Sequence, residues 1–329
     1  SPGFSPDVTS YDYDAPINEA GQVTPKYMEL REMLSGYSDK KLPSIPKEFP
    51  VINVPKIQFT EVAPLFENLP APHASMDIQT MEAFNQGWGS ILYRTKTPAV
   101  PTQSILTITD AHDFAQVFIN RKLIGSIDRR NHEKTMLLPA MKEGDQLDIL
   151  VEAMGRINFG RAIKDFKGIT EKVELSYTMN TGSQVTVNLK NWQIYTLSDS
   201  YQVQKDMKYV PLKDQKVPGC YRATFNLKKT GDTFLNLETW GKGQVYVNGH
   251  AIGRFWKIGP QQTLYMPGCW LKKGENEIIV QDIVGPQETV VEGLSKPIID
   301  KLNVDAPNTH RKEGQTLNLA GETPCKTGE

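Results

Sequence analysis

Cysteine is scarce here. The three residues Cys220, Cys269 and Cys325 are too few and too unevenly spaced for a disulfide scaffold or a zinc site, and at most one bridge is available. The five histidines, His73, His112, His132, His250 and His310, are scattered, and none stands beside a second ligand at metal spacing. We therefore expect no metal and no cofactor. No apolar run approaches the roughly 20 residues that a membrane span requires, and the N-terminus has neither the basic nor the apolar region of a signal peptide. An excess of one charge sign is also missing. With 37 Lys+Arg against 38 Asp+Glu and no long block of either, nothing steers the chain to nucleic acid or anionic lipid. No asparagine stands in an Asn-X-Ser/Thr sequon, which argues against a heavily glycosylated eukaryotic secretory protein.

What is present suffices for two or three domains: 329 residues, of which 39% are hydrophobic. One helix is legible, over residues 24 to 36 (TPKYMELREMLSG). Thr24 suits the cap and Pro25 the first helical position; Tyr27, Met28, Leu30, Met33 and Leu34 share an apolar face, and Gly36 ends the run. A face this apolar needs a surface to lie on. The stretch from 38 to 56 holds four prolines and no helical period, so it reads as a linker with extended pieces.

From about residue 57 the pattern becomes β. Short runs rich in β-branched and aromatic residues, separated by Gly, Pro, Asn and Asp, occupy 90–97, 104–110, 115–127, 146–153 and 172–179. The theme returns at 220–227, 233–239, 243–256, 263–267 and 276–283. The two series are related. Gln116-Val117-Phe118-Ile119-Asn120 with Ile124-Gly125 matches Gln244-Val245-Tyr246-Val247-Asn248 with Ile252-Gly253 at a constant shift of 128. Thr135 and Pro139 match Thr263 and Pro267 at the same shift, so one β-domain occurs twice. Asn248-Gly249 predicts a tight two-residue hairpin, whereas Asn120-Arg121 suits that turn less well and predicts a longer loop. Short strands at this spacing favour antiparallel sandwiches of jelly-roll type. Near the C-terminus, TLNLAG looks like a strand with nothing following it to pair with.

The opening stretch TSYDYDAPINEAG, residues 9–21, alternates aromatic and carboxylate and then turns, as an active-site loop does. With the helix after it, it resembles the segment that closes the (β/α)8 catalytic barrel in the β-galactosidases of glycoside hydrolase family 35. LVEAMGRINFG with IKDFKGI is similar to a signature of that family's first β-domain, and GKGQVYVNGHAIGRFW followed by GPQQTLYMPGCWLKKGENEIIV to one of its second. The resemblance covers about residues 9–303 and implies four parts: 1–45, the last barrel loop and helix; 46–198, a linker and the first galactose-binding-domain-like sandwich; 199–303, the second sandwich; and 304–329, a truncated extension.

The same resemblance implies an exo-acting, retaining glycosidase that releases terminal β-linked galactose with two carboxyl groups about 5 Å apart. In the family both are glutamates on the fourth and seventh barrel strands, upstream of Ser1, so no catalytic residue is expected in this chain. Only one wall of the pocket is left, because a barrel site is assembled from loops spread over roughly 250 residues. By the family's motif Tyr13 is the residue carried over to galactose binding, its hydroxyl on the sugar or the nucleophile. Tyr11, Asp12 and Asp14 would orient the loop. The expected partners are a β-galactoside, the missing barrel and further subunits; an extracytoplasmic bacterial enzyme fits the family's habits.

Other candidates read as structural. Glu152, Glu238 and Asp282 lie in or beside strands, and nothing in their spacing brings two together in an apolar pocket. Cys220 lacks a His partner, GKG at 241–243 is a turn, and Arg156, Asn158 and Arg161 suit a turn that holds domains in register. The alternative function is a free-standing carbohydrate-binding module, with Trp240, Phe255, Trp256, Tyr265 and Trp270 as stacking aromatics, although Trp240 and Trp256 flank a hairpin as core residues do.

Overall fold

The computed structural model describes residues 15–158 and 163–303. Tyr13 and the alternating stretch around it, Arg161 and the TLNLAG run lie outside the described residues. The chain divides into two compact units, one spanning Leu69–Ser200 and the other built from residues up to Asn68 together with those from Tyr201 onward.

The first unit is a two-sheet sandwich. Its six-stranded sheet runs in the order His73–Ser75, Trp192–Leu197, Gly89–Lys96, Gln146–Ala153, Phe114–Ile119, Lys122–Asp128. Its four-stranded sheet runs Gln184–Asn188, Val173–Thr178, Ser104–Ile108, Thr135–Leu138. Alternation puts Ile91, Tyr93, Val117 and Ile149 of the first sheet against Leu106, Ile108, Val173 and Leu175 of the second in one buried core. Trp192 closes that core with its indole N–H donating to the Leu189 carbonyl at 3.1 Å.

The second unit repeats the plan. Its larger sheet runs Val210–Pro211, Glu61–Pro64, Gly219–Leu227, Gly274–Asp282, Lys242–Val247, His250–Trp256, and its smaller one Val54–Gln58, Val290–Leu294, Thr233–Asn236, Thr263–Met266. The shift of 128 is kept element by element. Phe114–Ile119, Lys122–Asp128 and Thr135–Leu138 become Lys242–Val247, His250–Trp256 and Thr263–Met266. Even the bulge recurs, between Val117 and Phe118 and again between Val245 and Tyr246.

One expectation about the hairpins changes. Asn120-Arg121 forms the same two-residue turn as Asn248-Gly249, with φ of 48° and 68° against 50° and 88°. Asn sets the turn in both copies. The Asn120 amide donates to Asp145 Oδ1 and accepts from Gln146 N, as Asn248 donates to Asn276 Oδ1 and accepts from Glu277 N. These anchors, with the strand register, hold Arg121 in a left-handed conformation that its own preferences oppose.

The other difference is topological. In the first sandwich the outer strands Gln184–Asn188 and Trp192–Leu197 follow the rest in sequence; in the second, the equivalent places are filled by Val54–Gln58 and Glu61–Pro64, which precede the whole first sandwich. The second copy is therefore a circular permutation of the first, with the first inserted between its strands. Residues 46–68 were expected to run into the first sandwich, but the strands within them pair with the second unit. Their prolines disguised them. Pro55 sits in an edge strand and Pro64 at a strand end, the places where a missing N–H costs least.

Helix Pro25–Ser35 forms as predicted, with Pro25 in its first turn, yet none of its residues is buried. Thr24 does not cap it. Its hydroxyl donates backwards, to the carbonyls of Ala15 and Pro16. Gly36 ends the helix in a right-handed conformation, φ −72°, so glycine's positive-φ freedom is not used there.

Candidate functional site

A hydrolytic pair would have to come from carboxylates that share a site, and one such place among the described residues is a buried ionic cluster. It lies in the first sandwich where strand Phe114–Ile119 begins. Asp113 accepts from Arg129 Nη1 at 2.5 Å, from Lys167 Nζ at 2.7 Å and from the backbone N–H of Met154 at 2.7 Å. Asp165 faces the same two cations, at 3.0 Å from Arg129 Nη1 and 2.8 Å from Lys167 Nζ. His112 donates from Nδ1 to the Phe166 carbonyl, and its Nε2 stands 3.1 Å from Asp110 Oδ2. Nearby, Arg156 bridges Glu82 at 2.7 Å and the carbonyls of Asp165 and Gly87.

This constellation does not have the electrostatics of a glycosidase. A general acid must hold its proton near neutrality, which requires burial without a compensating cation. Here burial pushes the Asp165 carboxyl up, but Lys167 and Arg129 more than reverse it and leave it below the usual carboxylate range. Asp110 is held low by His112 above all, against partial burial, with Thr170 adding a further hydrogen bond. The side chains of Asp113 and Lys167 are wholly buried and that of Asp165 is 1% exposed, so no sugar reaches them. Two anions and two cations neutralise one another and tie the loop after Gln146–Ala153 to the sheet.

The candidates weighed from sequence are not brought together. Glu152 is buried in the first sandwich. Glu238 pairs with Lys301 and with the Asn236 amide at the rim of a hollow of about 80 Å³. Asp282 is fully buried, and its carboxylate accepts backbone N–H groups from Gly241, Lys242, Val284 and Gly285. Burial raises its carboxyl in spite of those four donors. GKG is not the turn expected from the sequence: Lys242 and Gly243 open the strand Lys242–Val247, and a side chain at Gly243 would place its Cβ 1.7 Å from the Gln281 carbonyl oxygen of the neighbouring strand. Cys220 is buried beside Gln204, 2.7 Å from its Oε1. Arg156 does join the ionic network. The sequence does not single out Asp113, Arg129 and Lys167: AHDF and KDFKG place Asp113 and Lys167 beside apolar residues, and nothing comparable marks Arg129.

The stacking aromatics nominated in the second copy are packing residues. Trp240 is 1% exposed, its N–H donates to the Val290 carbonyl at 2.8 Å, and it packs edge-on against Phe59 and Tyr221. Phe255 and Trp256 are buried, with Lys242 Nζ 4.0 Å above the Trp256 ring. Trp270 lies flat on His250, the planes 5° apart, and Tyr265 packs on Phe234. Among the described residues, no group of three or more metal-ligating side chains is assembled.

Comparison with known proteins accords with this arrangement. Residues 79–198 match the model of the first all-β domain of β-galactosidase, 218–276 its galactose-binding domain, and 1–37 the glycosyl hydrolases family 35 model. The chain belongs to glycosyl hydrolase family 35 and is a β-galactosidase family member. It is 33% identical to a β-galactosidase of Xanthomonas manihotis over 264 residues, covering 80% of this chain and 42% of that protein. It is 32% identical to β-galactosidase 1 of Dictyostelium discoideum, covering 90% and 48%, and 35% identical to the rat β-galactosidase-1-like protein 3, covering 83% and 43%. The chain thus spans somewhat under half the length of these relatives.

Proposed function

We propose that these residues form the non-catalytic portion of an exo-acting, retaining β-galactosidase. The two sandwiches brace the catalytic barrel and mediate assembly, while a carboxylate pair outside the described residues cleaves terminal β-linked galactose. The observation that carries this reading is the state of Asp113 and Asp165. Both share Lys167 and Arg129 as partners, and they are sealed from solvent and neutralised by them. Residues 1–45 are read as the end of the barrel, and Tyr13 as a galactose-binding residue whose hydroxyl meets the sugar or the nucleophile. Helix Pro25–Ser35 supports the first of these assignments, since none of its residues is buried although Tyr27, Met28, Leu30, Met33 and Leu34 have the composition of a face that packs. The test is hydrolysis of a chromogenic β-galactoside by this chain alone. No turnover is expected. Turnover that disappears in Asp113→Asn or Asp165→Asn would overturn the reading.

A further inference from the structure

An aromatic that fits sugar stacking does exist, in the first sandwich and not in the second. Trp88 is 70% exposed, an unusual state for the largest side chain, and it stands beside a hollow of about 380 Å³. That volume lies within the range of small-ligand sites, above the hollows of about 230 Å³ beside Arg129 and about 80 Å³ beside Glu238. The wall combines the Trp88 indole and Phe84 with the amide of Asn85, the hydroxyls of Ser198 and Ser200, and the Asp199 carboxylate. Among the described residues no lysine, arginine or histidine lines it, which favours a neutral ligand over an anionic one.

Trp88 is presented on a rigid turn. Gln86 Nε2 lies within 3.1 Å of the carbonyls of Trp88, Ser90 and Leu197, which ties the turn to the adjacent strand ends. Arg156 fixes the turn from the other side through the Gly87 carbonyl at 2.7 Å. Gly89, at φ +84°, lets the Asp199 carboxylate come close: a Cβ there would stand 2.4 Å from Asp199 Oδ2. Ordering paid in advance by folding is not charged to ligand binding. The duplicate lacks the feature. With Tyr93-Arg94 and Tyr221-Arg222 in register at the shift of 128, Lys216 stands where Trp88 does.

We infer that the Trp88 hollow binds a neutral pyranoside, its apolar ring face on the indole and its hydroxyls on Asp199, Asn85 and the two serines. Ring stacking needs a flat apolar face, and the polar rim supplies mostly acceptors and amides for hydroxyls, a combination that a linear polyol or a charged ligand cannot use fully. The site falls within or beside residues 79–198, outside the 218–276 segment that matches the galactose-binding model, and does not depend on any hydrolytic role.

Acrylamide quenching of tryptophan fluorescence in the whole chain tests it, because Trp192 and Trp240 are 1% exposed, Trp256 is also buried and Trp270 is half-buried against His250; the quenching that Trp88→Ala removes isolates the Trp88 signal. Methyl β-galactopyranoside and methyl β-glucopyranoside serve as probes, with sorbitol as the linear control. A pyranoside is expected to protect saturably, with a dissociation constant on the order of 1 mM for so small a ligand, and sorbitol not to. Binding measured by calorimetry should weaken at least about tenfold in Trp88→Ala, at an unchanged melting temperature, and survive largely in Trp88→Phe. No saturation with either pyranoside, equal protection by sorbitol, or binding unaltered in Trp88→Ala would each overturn the inference.

Discussion

Where strand Phe114–Ile119 begins, the first sandwich buries Asp113, Asp165, Lys167 and Arg129 in one network; at the matching place the second has Gly241, whose N–H donates to the single carboxylate of Asp282. Both devices fasten the start of that strand to the loop leaving its neighbour. The loops differ in length. Residues 154–172 separate the pertinent strands in the first sandwich, with the two-residue strand Gly168–Ile169 among the described ones, whereas residues 283–289 do so in the second. A short loop can curl its own N–H groups around one carboxylate. A long one needs side chains that reach several points, and burying them is tolerable only if each charge meets its opposite.

Breaking this comparison is most direct at Lys167. Lys167→Met would leave two buried aspartates with Arg129 as the shared cation, and a loss of about 3–5 kcal/mol is expected from urea unfolding. Asp282→Ala would leave four backbone N–H groups without their acceptor but remove a costly charge at the same time. Its loss should be the smaller, about 1–3 kcal/mol. Equal losses would mean that the two devices carry the same burden.

The sandwiches should also respond to pH with opposite sign. Asp110, Asp165 and Glu82 have carboxyls held below the ordinary range in the folded state, so their contribution is present above about pH 4 and is lost as the pH falls through their folded values. Asp282 is raised. The folded state there favours the proton, so stability declines as the pH climbs from about 4 through its raised value and is level beyond it. Parent minus variant, the unfolding free energy should rise with pH below about 4 for Asp110→Asn and fall with pH above about 4 for Asp282→Asn. Parallel slopes would remove the distinction.

The smallest effect concerns the paired hairpins. Arg121 occupies at φ 68° the place that Gly249 takes at 88°. Arg121→Gly should relieve left-handed strain and, despite the added freedom of the unfolded chain, stabilise by up to about 1 kcal/mol; Gly249→Arg should destabilise by a similar amount. Thermal midpoints of the two variants measure it.

Much of the fold was legible because it is written in local pattern. Alternation located ten strand regions, and the repeated Gln-Val-aromatic-β-branched-Asn run exposed the duplication. Among the strands that escaped, Val54–Gln58, Glu61–Pro64, Gln184–Asn188, Trp192–Leu197 and Val290–Leu294 flank the copies, whereas Thr135–Leu138 lies inside the first. The ionic network escaped for another reason. Asp113, Arg129 and Lys167 are separated by tens of residues, and no spacing rule links charges that meet only after the sheet has formed. Trp88 precedes the strand pattern that begins at residue 90, and its exposure depends on how the turn before Gly89 is held.

The sequence by itself determined that this protein is a duplicated β-sandwich with the motifs of family 35, because strand alternation and turn chemistry act over a few residues and survive without knowledge of partners. Only the tertiary structure decided that the second copy is permuted around the first, that Asp113 and Asp165 are locked by lysine and arginine, and which tryptophan faces water. Those outcomes depend on which segments fill the sheet edges and on distances between residues far apart in the chain, and local preference carries no information about either.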